Sequence, residues 1–115
     1  MLHDASESWL RDLPKPLKNL CPGYRDVEDK LQTLIYVKYL GRWPNEYTEY
    51  HVIKKADMEV TKAEAKRWHQ HYHEDWFPEV ETVAIPELAS PWSAERSQRE
   101  LWDRLGKLGI TEEAI

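Results

Sequence analysis

The stretch DVEDKLQTLIYVKYL (residues 26–40), followed by GRWPN (41–45), decides the fold. Val27, Leu31, Leu34 and Lys38 recur at helical spacing, and Ile35 widens the stripe. Asp26 and Asp29 suit a helix start, because carboxylates there meet unpaired N–H groups and the positive end of the helix dipole. Gly41 suits its stop, and Pro44 lies just beyond. The second half is also rich in strand formers. Residues 33–40 and 46–54 therefore compete as a β-hairpin around 41–45. The helix is the favoured reading.

Upstream, residues 6–13 predict a short helix with Trp9, Leu10 and Leu13 on one face, ended by Pro14 and Pro16. Cys21-Pro22-Gly23 reads as a turn. Downstream, Thr61-Lys62-Ala63-Glu64 matches a capping box, in which a cap hydroxyl and a glutamate three residues on each satisfy a free N–H. That predicts a helix from Thr61 to about Trp76, with Ala65, Trp68, Tyr72 and Trp76 on one face. Residues 79–85 read as a short strand or an extended connector. Ser90-Pro91 predicts the start of a last helix, with Ala94, Leu101, Trp102, Leu105 and Leu108 inward and Gly106 or Gly109 at its end. The expectation is a mainly α fold of three to four helices. An α+β variant with a short β-hairpin or edge strand is the alternative. A chain of 115 residues implies one globular domain over 1–115, with 1–5 and 111–115 frayed.

Composition narrows the class. Hydrophobic residues make up 41% and charged residues 32%, too apolar for a disordered chain. The one cysteine, Cys21, excludes an internal disulfide and a cysteine-based zinc site, and suits a reducing compartment. Met1-Leu2-His3-Asp4 has neither the basic nor the apolar part of a secretory signal. The longest apolar run, Leu34-Ile35-Tyr36-Val37, is far short of a membrane span. The cytoplasm is the expected location and no membrane partner is expected. The net charge of −5 serves solubility. It is unevenly spread: residues 30–55 hold five Lys/Arg against two acids, and residues 77–115 hold eight acids against four bases.

Catalytic signatures are missing. No serine sits in a Gly-x-Ser-x-Gly elbow, and four scattered glycines make no phosphate loop. The carboxylate pairs Glu28-Asp29, Glu74-Asp75 and Glu112-Glu113 are adjacent in sequence, so on a helix they diverge. Cys21 would need a base and an oxyanion site to act as a nucleophile; a small buried thiol is its commoner fate. His69 and His73 are four apart, which on a helix is a metal-ligand spacing. A bare pair lacks a third ligand, so metal binding is a weak alternative and no cofactor is expected.

The aromatic residues are the informative surplus: six Trp, six Tyr and one Phe. Trp68, Tyr72, Trp76 and Trp102 fall on the predicted core faces. Arg42, Trp43, Tyr47 and Tyr50 fall in or near a loop, and surface Trp, Tyr and Arg are enriched at interface centres. They predict a partner-binding surface on a small non-catalytic module (an inhibitor, adaptor or accessory subunit) acting stoichiometrically on a larger protein. On this reading Trp43→Ala weakens binding and leaves the fold intact; the competing reading makes Trp43 a lid on the core. The alternative function is single-stranded nucleic-acid binding by residues 36–55, with Lys38, Arg42, Lys54 and Lys55 on phosphates and the aromatics stacked on bases. The oligomeric state is open.

Overall fold

The computed structural model describes residues 2–111 and is mainly α. Five α-helices follow in order among the described residues: α1 Glu7–Leu10, α2 Lys15–Leu20, α3 Pro22–Leu40, α4 Glu49–Trp68 and α5 Ala94–Lys107. Two 3₁₀ turns, Glu74–Trp76 and Pro86–Ala89, lie between α4 and α5. No strand occurs among the described residues. The first arm of the expected hairpin is helical instead, the second is turn over 46–48 and helical from Glu49 on, and residues 80–85 form a connector. The β-branched residues Thr33, Ile35 and Val37 suggested a strand. They sit inside a 19-residue helix, long enough to spread its nucleation cost over many backbone bonds.

The chain divides into two compact units, residues 1–53 and 54–115. In the first, α3 begins at Pro22, where a missing N–H costs nothing, so Cys21-Pro22-Gly23 is a helix start and not a turn. α3 ends at Gly41, whose φ of 73° is the left-handed conformation that closes a helix, with its N–H donating to Val37 O. The buried positions of α3 are Gln32, Ile35 and Tyr36. Val27 and Leu34, expected inward, are exposed, so the buried stripe is rotated from the apolar one. Polar pairing accounts for the rotation. The Gln32 side-chain amide donates to Leu2 O (2.6 Å), and its carbonyl oxygen accepts the Ser6 N–H (3.3 Å). One α3 turn below, Glu28 accepts from Lys18 Nζ at 2.8 Å, and Asp12 lies 3.0 Å from the same nitrogen. Those carboxylates, Glu28 first, hold the Lys18 ammonium well above its usual range although its side chain is largely covered. Of the ends expected to fray, Met1 and residues 112–115 lie outside the described residues.

In the second unit, α4 does not start at Thr61. Thr61 lies in mid-helix, and its hydroxyl donates to Asp57 O at 2.8 Å. A Ser/Thr hydroxyl inside a helix has that i−4 carbonyl as a ready acceptor, so the capping-box pattern alone does not fix a start. α4 also stops early, at Trp68, and Tyr72 and Trp76 leave the helix. Lys62 is the buried side chain of this segment: its Nζ donates to Val80 O (2.7 Å) and lies 3.4 Å from Glu74 Oε2. Glu74 also accepts from Lys66 (2.9 Å) and the Tyr72 hydroxyl (3.0 Å), and these donors, Lys66 first, hold it down to about 2. The cap of α5 is Ser93 rather than Ser90, with its hydroxyl accepting the Arg96 N–H at 3.2 Å. Of the residues expected inward here, Ala94, Leu101, Trp102 and Leu108 are exposed, and Leu105 is half-buried.

Among the described residues Ile35 and Tyr36 are the buried hydrophobic side chains. Full burial of one such side chain contributes about 1.5–3 kcal/mol. With so little apolar burial, the backbone caps carry unusual weight. A Cβ at Gly41 would meet nothing within 4 Å, so the cost of substitution there is conformational alone. Gly41→Ala is expected to destabilise the fold by about 1–2 kcal/mol. Urea unfolding followed by helical circular dichroism measures this, and an unchanged midpoint would rule out the left-handed cap.

Candidate functional site

The loop between α3 and α4 holds Arg42, Trp43 and Tyr47, three of the residues expected to bind a partner, and the fourth, Tyr50, lies in the first turn of α4. Its backbone is locked by a reciprocal cap. The Asn45 side-chain oxygen accepts the N–H groups of Tyr47 (2.9 Å) and Thr48 (3.2 Å), while Glu49 Oε2 accepts the N–H of Asn45 (2.8 Å). This is capping-box chemistry with the glutamate four residues on rather than three. Glu49 also accepts two bonds from Arg42, at 2.6 and 2.7 Å. A bidentate pair of this kind fixes both planes. Arg42 first, then the Asn45 N–H, draws the Glu49 carboxyl from its ordinary 4.5 to about 2.

Trp43 follows directly and turns inward. Its ring meets buried Tyr36 edge-to-face, with centroids 4.8 Å apart and planes at 81°, a favourable quadrupole arrangement. Trp43 is therefore half-buried, and Pro44 beside it is buried. Tyr47 is 86% exposed and Tyr50 is 39% exposed. Trp43, Tyr47 and Tyr50 line one open groove with Glu46 and His51, with a cavity volume of about 480 Å³. Arg42 does not line it. Arg42 borders a second, strongly apolar groove of about 440 Å³, walled by Leu40, Pro44, Val52 and Ile53. The structure thus brings three of the four expected residues together and turns the fourth to another groove.

Sequence reasoning missed Glu46 and His51 as groove residues and Asn45 and Glu49 as the frame. An asparagine four residues before a glutamate was the available signal. Three of the basic residues of this stretch, Arg42, Lys54 and Lys55, lie beside acids. Besides Arg42 with Glu49, Lys54 lies 3.8 Å from Asp57 and Lys55 lies 3.6 Å from Glu59. Lys38 lies over the Tyr39 ring, 5.3 Å from its centroid.

The histidine pair loses the premise on which it was considered. α4 ends at Trp68, so His69 and His73 are not carried on one helical face. His69 Nδ1 accepts the His71 N–H at 3.2 Å, and its ring packs edge-on against Trp76 at 4.8 Å. His73 Nδ1 accepts the Asp75 N–H at 3.4 Å, capping the 3₁₀ turn. Cys21 is half-buried in the junction between α2 and α3.

Over 39 residues the chain is 44% identical to YfdR, an uncharacterized protein of Escherichia coli (strain K12). The match covers 34% of this chain and 22% of YfdR, so the chain spans about a fifth of that protein. No protein-family model and no solved structure matches.

Two outcomes are expected. Trp43→Ala removes a half-buried ring from Tyr36 and should destabilise by about 2 kcal/mol, roughly half the cost of a fully buried Trp. Tyr47→Ala should stay within about 0.5 kcal/mol of the parent. Urea unfolding of the two variants checks this, and equal stabilities would separate Trp43 from the core. For Glu49 the folded value lies below the unfolded one. Its contribution is therefore complete above pH 4.5 and is lost as pH falls toward about 2. Carbon-13 titration of the Glu49 carboxyl should show the low midpoint, and Arg42→Ala should return it toward 4.5. The pair is exposed, so added salt should shrink the effect. A normal midpoint in the parent protein would contradict the clamp.

Proposed function

We propose that this chain is a non-catalytic protein-binding module, acting stoichiometrically on a larger protein through the groove of Trp43, Tyr47 and Tyr50. One observation carries the reading: Tyr47 is held 86% exposed by a backbone that its neighbours lock in place. A large aromatic fixed in solvent loses little conformational freedom when a partner covers it. It brings apolar area and a hydroxyl to the contact, which is why Tyr recurs among interface residues that dominate binding. Other exposed side chains of the first unit, Trp9, Leu20, Leu34 and Val52 among them, supply apolar surface that the unit itself does not cover. Contiguous patches of such surface mark interaction sites, whereas isolated ones need no explanation. No helix of the described residues is long and apolar enough to cross a membrane.

Single-stranded nucleic acid is the competing ligand, and the acid partners of Arg42, Lys54 and Lys55 weigh against it. Phosphate binding relies on cations that the protein leaves available.

The test is native mass spectrometry on full-length protein from its own cells, parent beside Tyr47→Ala. A stoichiometric complex with one other protein is expected in the parent. Tyr47→Ala should weaken it by about 2 kcal/mol, roughly 30-fold. A bare parent monomer, or a complex indifferent to Tyr47, would refute the module. A salt-sensitive oligonucleotide complex lost in Tyr47→Ala would transfer the groove to nucleic acid.

A further inference from the structure

We infer that the Trp43–Tyr47–Tyr50 groove receives a cationic side chain of the partner protein, an arginine foremost, with the Glu46 carboxylate as its counter-charge. This inference rests on the protein-binding reading and names the chemistry that reading leaves open. By sequence the segment is basic and aromatic, so its aromatics would be grouped with cations. The fold separates the two. Arg42 is turned to Glu49 and to the apolar groove of Leu40, Pro44 and Val52. The aromatic groove is lined by Trp43, Glu46, Tyr47, Tyr50 and His51, with no lysine or arginine among its lining residues. Its one formal charge is therefore negative when His51 is neutral.

Glu46 is exposed, and among the described residues neither an ion pair nor a hydrogen bond engages its carboxylate. The other acid of the loop region differs: Glu49 is saturated by Arg42 and Asn45. A carboxylate left open beside three aromatic rings matches a cation on two counts. Ring faces carry the negative lobe of the aromatic quadrupole and attract a cation within about 6 Å. The carboxylate completes the pairing, and arginine fits best because its planar guanidinium stacks on a ring while its edge bonds both carboxylate oxygens. A phosphate or a carboxylate entering the same groove would meet Glu46 as a like charge. The chain already uses the cation–aromatic half of this chemistry within itself, with Arg96 over the Trp92 ring at 4.7 Å.

The experiment is a nuclear magnetic resonance titration of the full chain with N-acetyl-arginine amide beside N-acetyl-citrulline amide. The two probes share shape and differ in charge. Arginine should give saturable shifts at Trp43, Glu46, Tyr47 and Tyr50, and citrulline should bind at least tenfold more weakly. Glu46→Gln should weaken arginine at least threefold and leave citrulline unchanged. No saturable shift with arginine, equal binding of the two probes, or arginine binding indifferent to Glu46→Gln would each overturn the assignment. Partner capture separates the two levels. A complex lost in Tyr47→Ala and intact in Glu46→Gln overturns the cation and keeps the protein-binding module. A complex intact in both overturns both.

Discussion

The bidentate bond between Arg42 and Glu49 is the constraint on which the first unit's loop depends. Glu49 also takes the Asn45 N–H, so one carboxylate closes the end of the turn and opens α4. With those atoms fixed, the side chains between them have little choice. Trp43 falls onto Tyr36, Pro44 is buried, and Tyr47 and Tyr50 face outward with Glu46. The geometry of the groove follows from a polar interaction at its edge rather than from apolar packing beneath it. Because that pair is solvent-exposed, its worth lies in direction more than in energy; exposed ion pairs contribute little stability.

The same preference for polar stitching recurs through the molecule. Gln32 ties the N-terminal segment to α3 at both ends of its amide. Lys18 joins Asp12 to Glu28, and Lys62 reaches Val80 O beside the Glu74 hub. A half-covered charge is tolerable only when paired, and each of these is. The arrangement leaves much apolar surface outward: Val27, Leu34 and Val37 on α3, Leu101 and Trp102 on α5, and Leu108 just past its end. Apolar side chains in water forgo the main favourable term in folding.

Trp43 has two roles at once. Its edge-to-face contact supports Tyr36, and its other surface belongs to the groove. The ring that packs on Tyr36 also lines the groove proposed as the contact surface.

The helical character of the chain was legible in sequence, because spacing, proline placement and the stop at Gly41 are local features set by backbone geometry. The cluster of Trp43, Tyr47 and Tyr50 was legible for the same reason: residues four and three apart beside a turn stay close under most local folds. Helix starts were read less well. The Thr61 hydroxyl is used by a mid-helix carbonyl, and the cap expected at Ser90 falls to Ser93, since a hydroxyl accepts or donates wherever a backbone group is free. Which face of α3 is buried could not be read from apolarity, because Glu28 and Gln32 turn inward to partners 10 to 30 residues away. The charge of the groove was likewise decided in three dimensions. Composition counts Arg42 with the aromatics, but a bidentate carboxylate seven residues on takes it out of their groove and leaves Glu46 there instead. Sequence fixes what is local; pairing across distance decides which charges remain open, because each donor is consumed by whichever acceptor the fold brings to it.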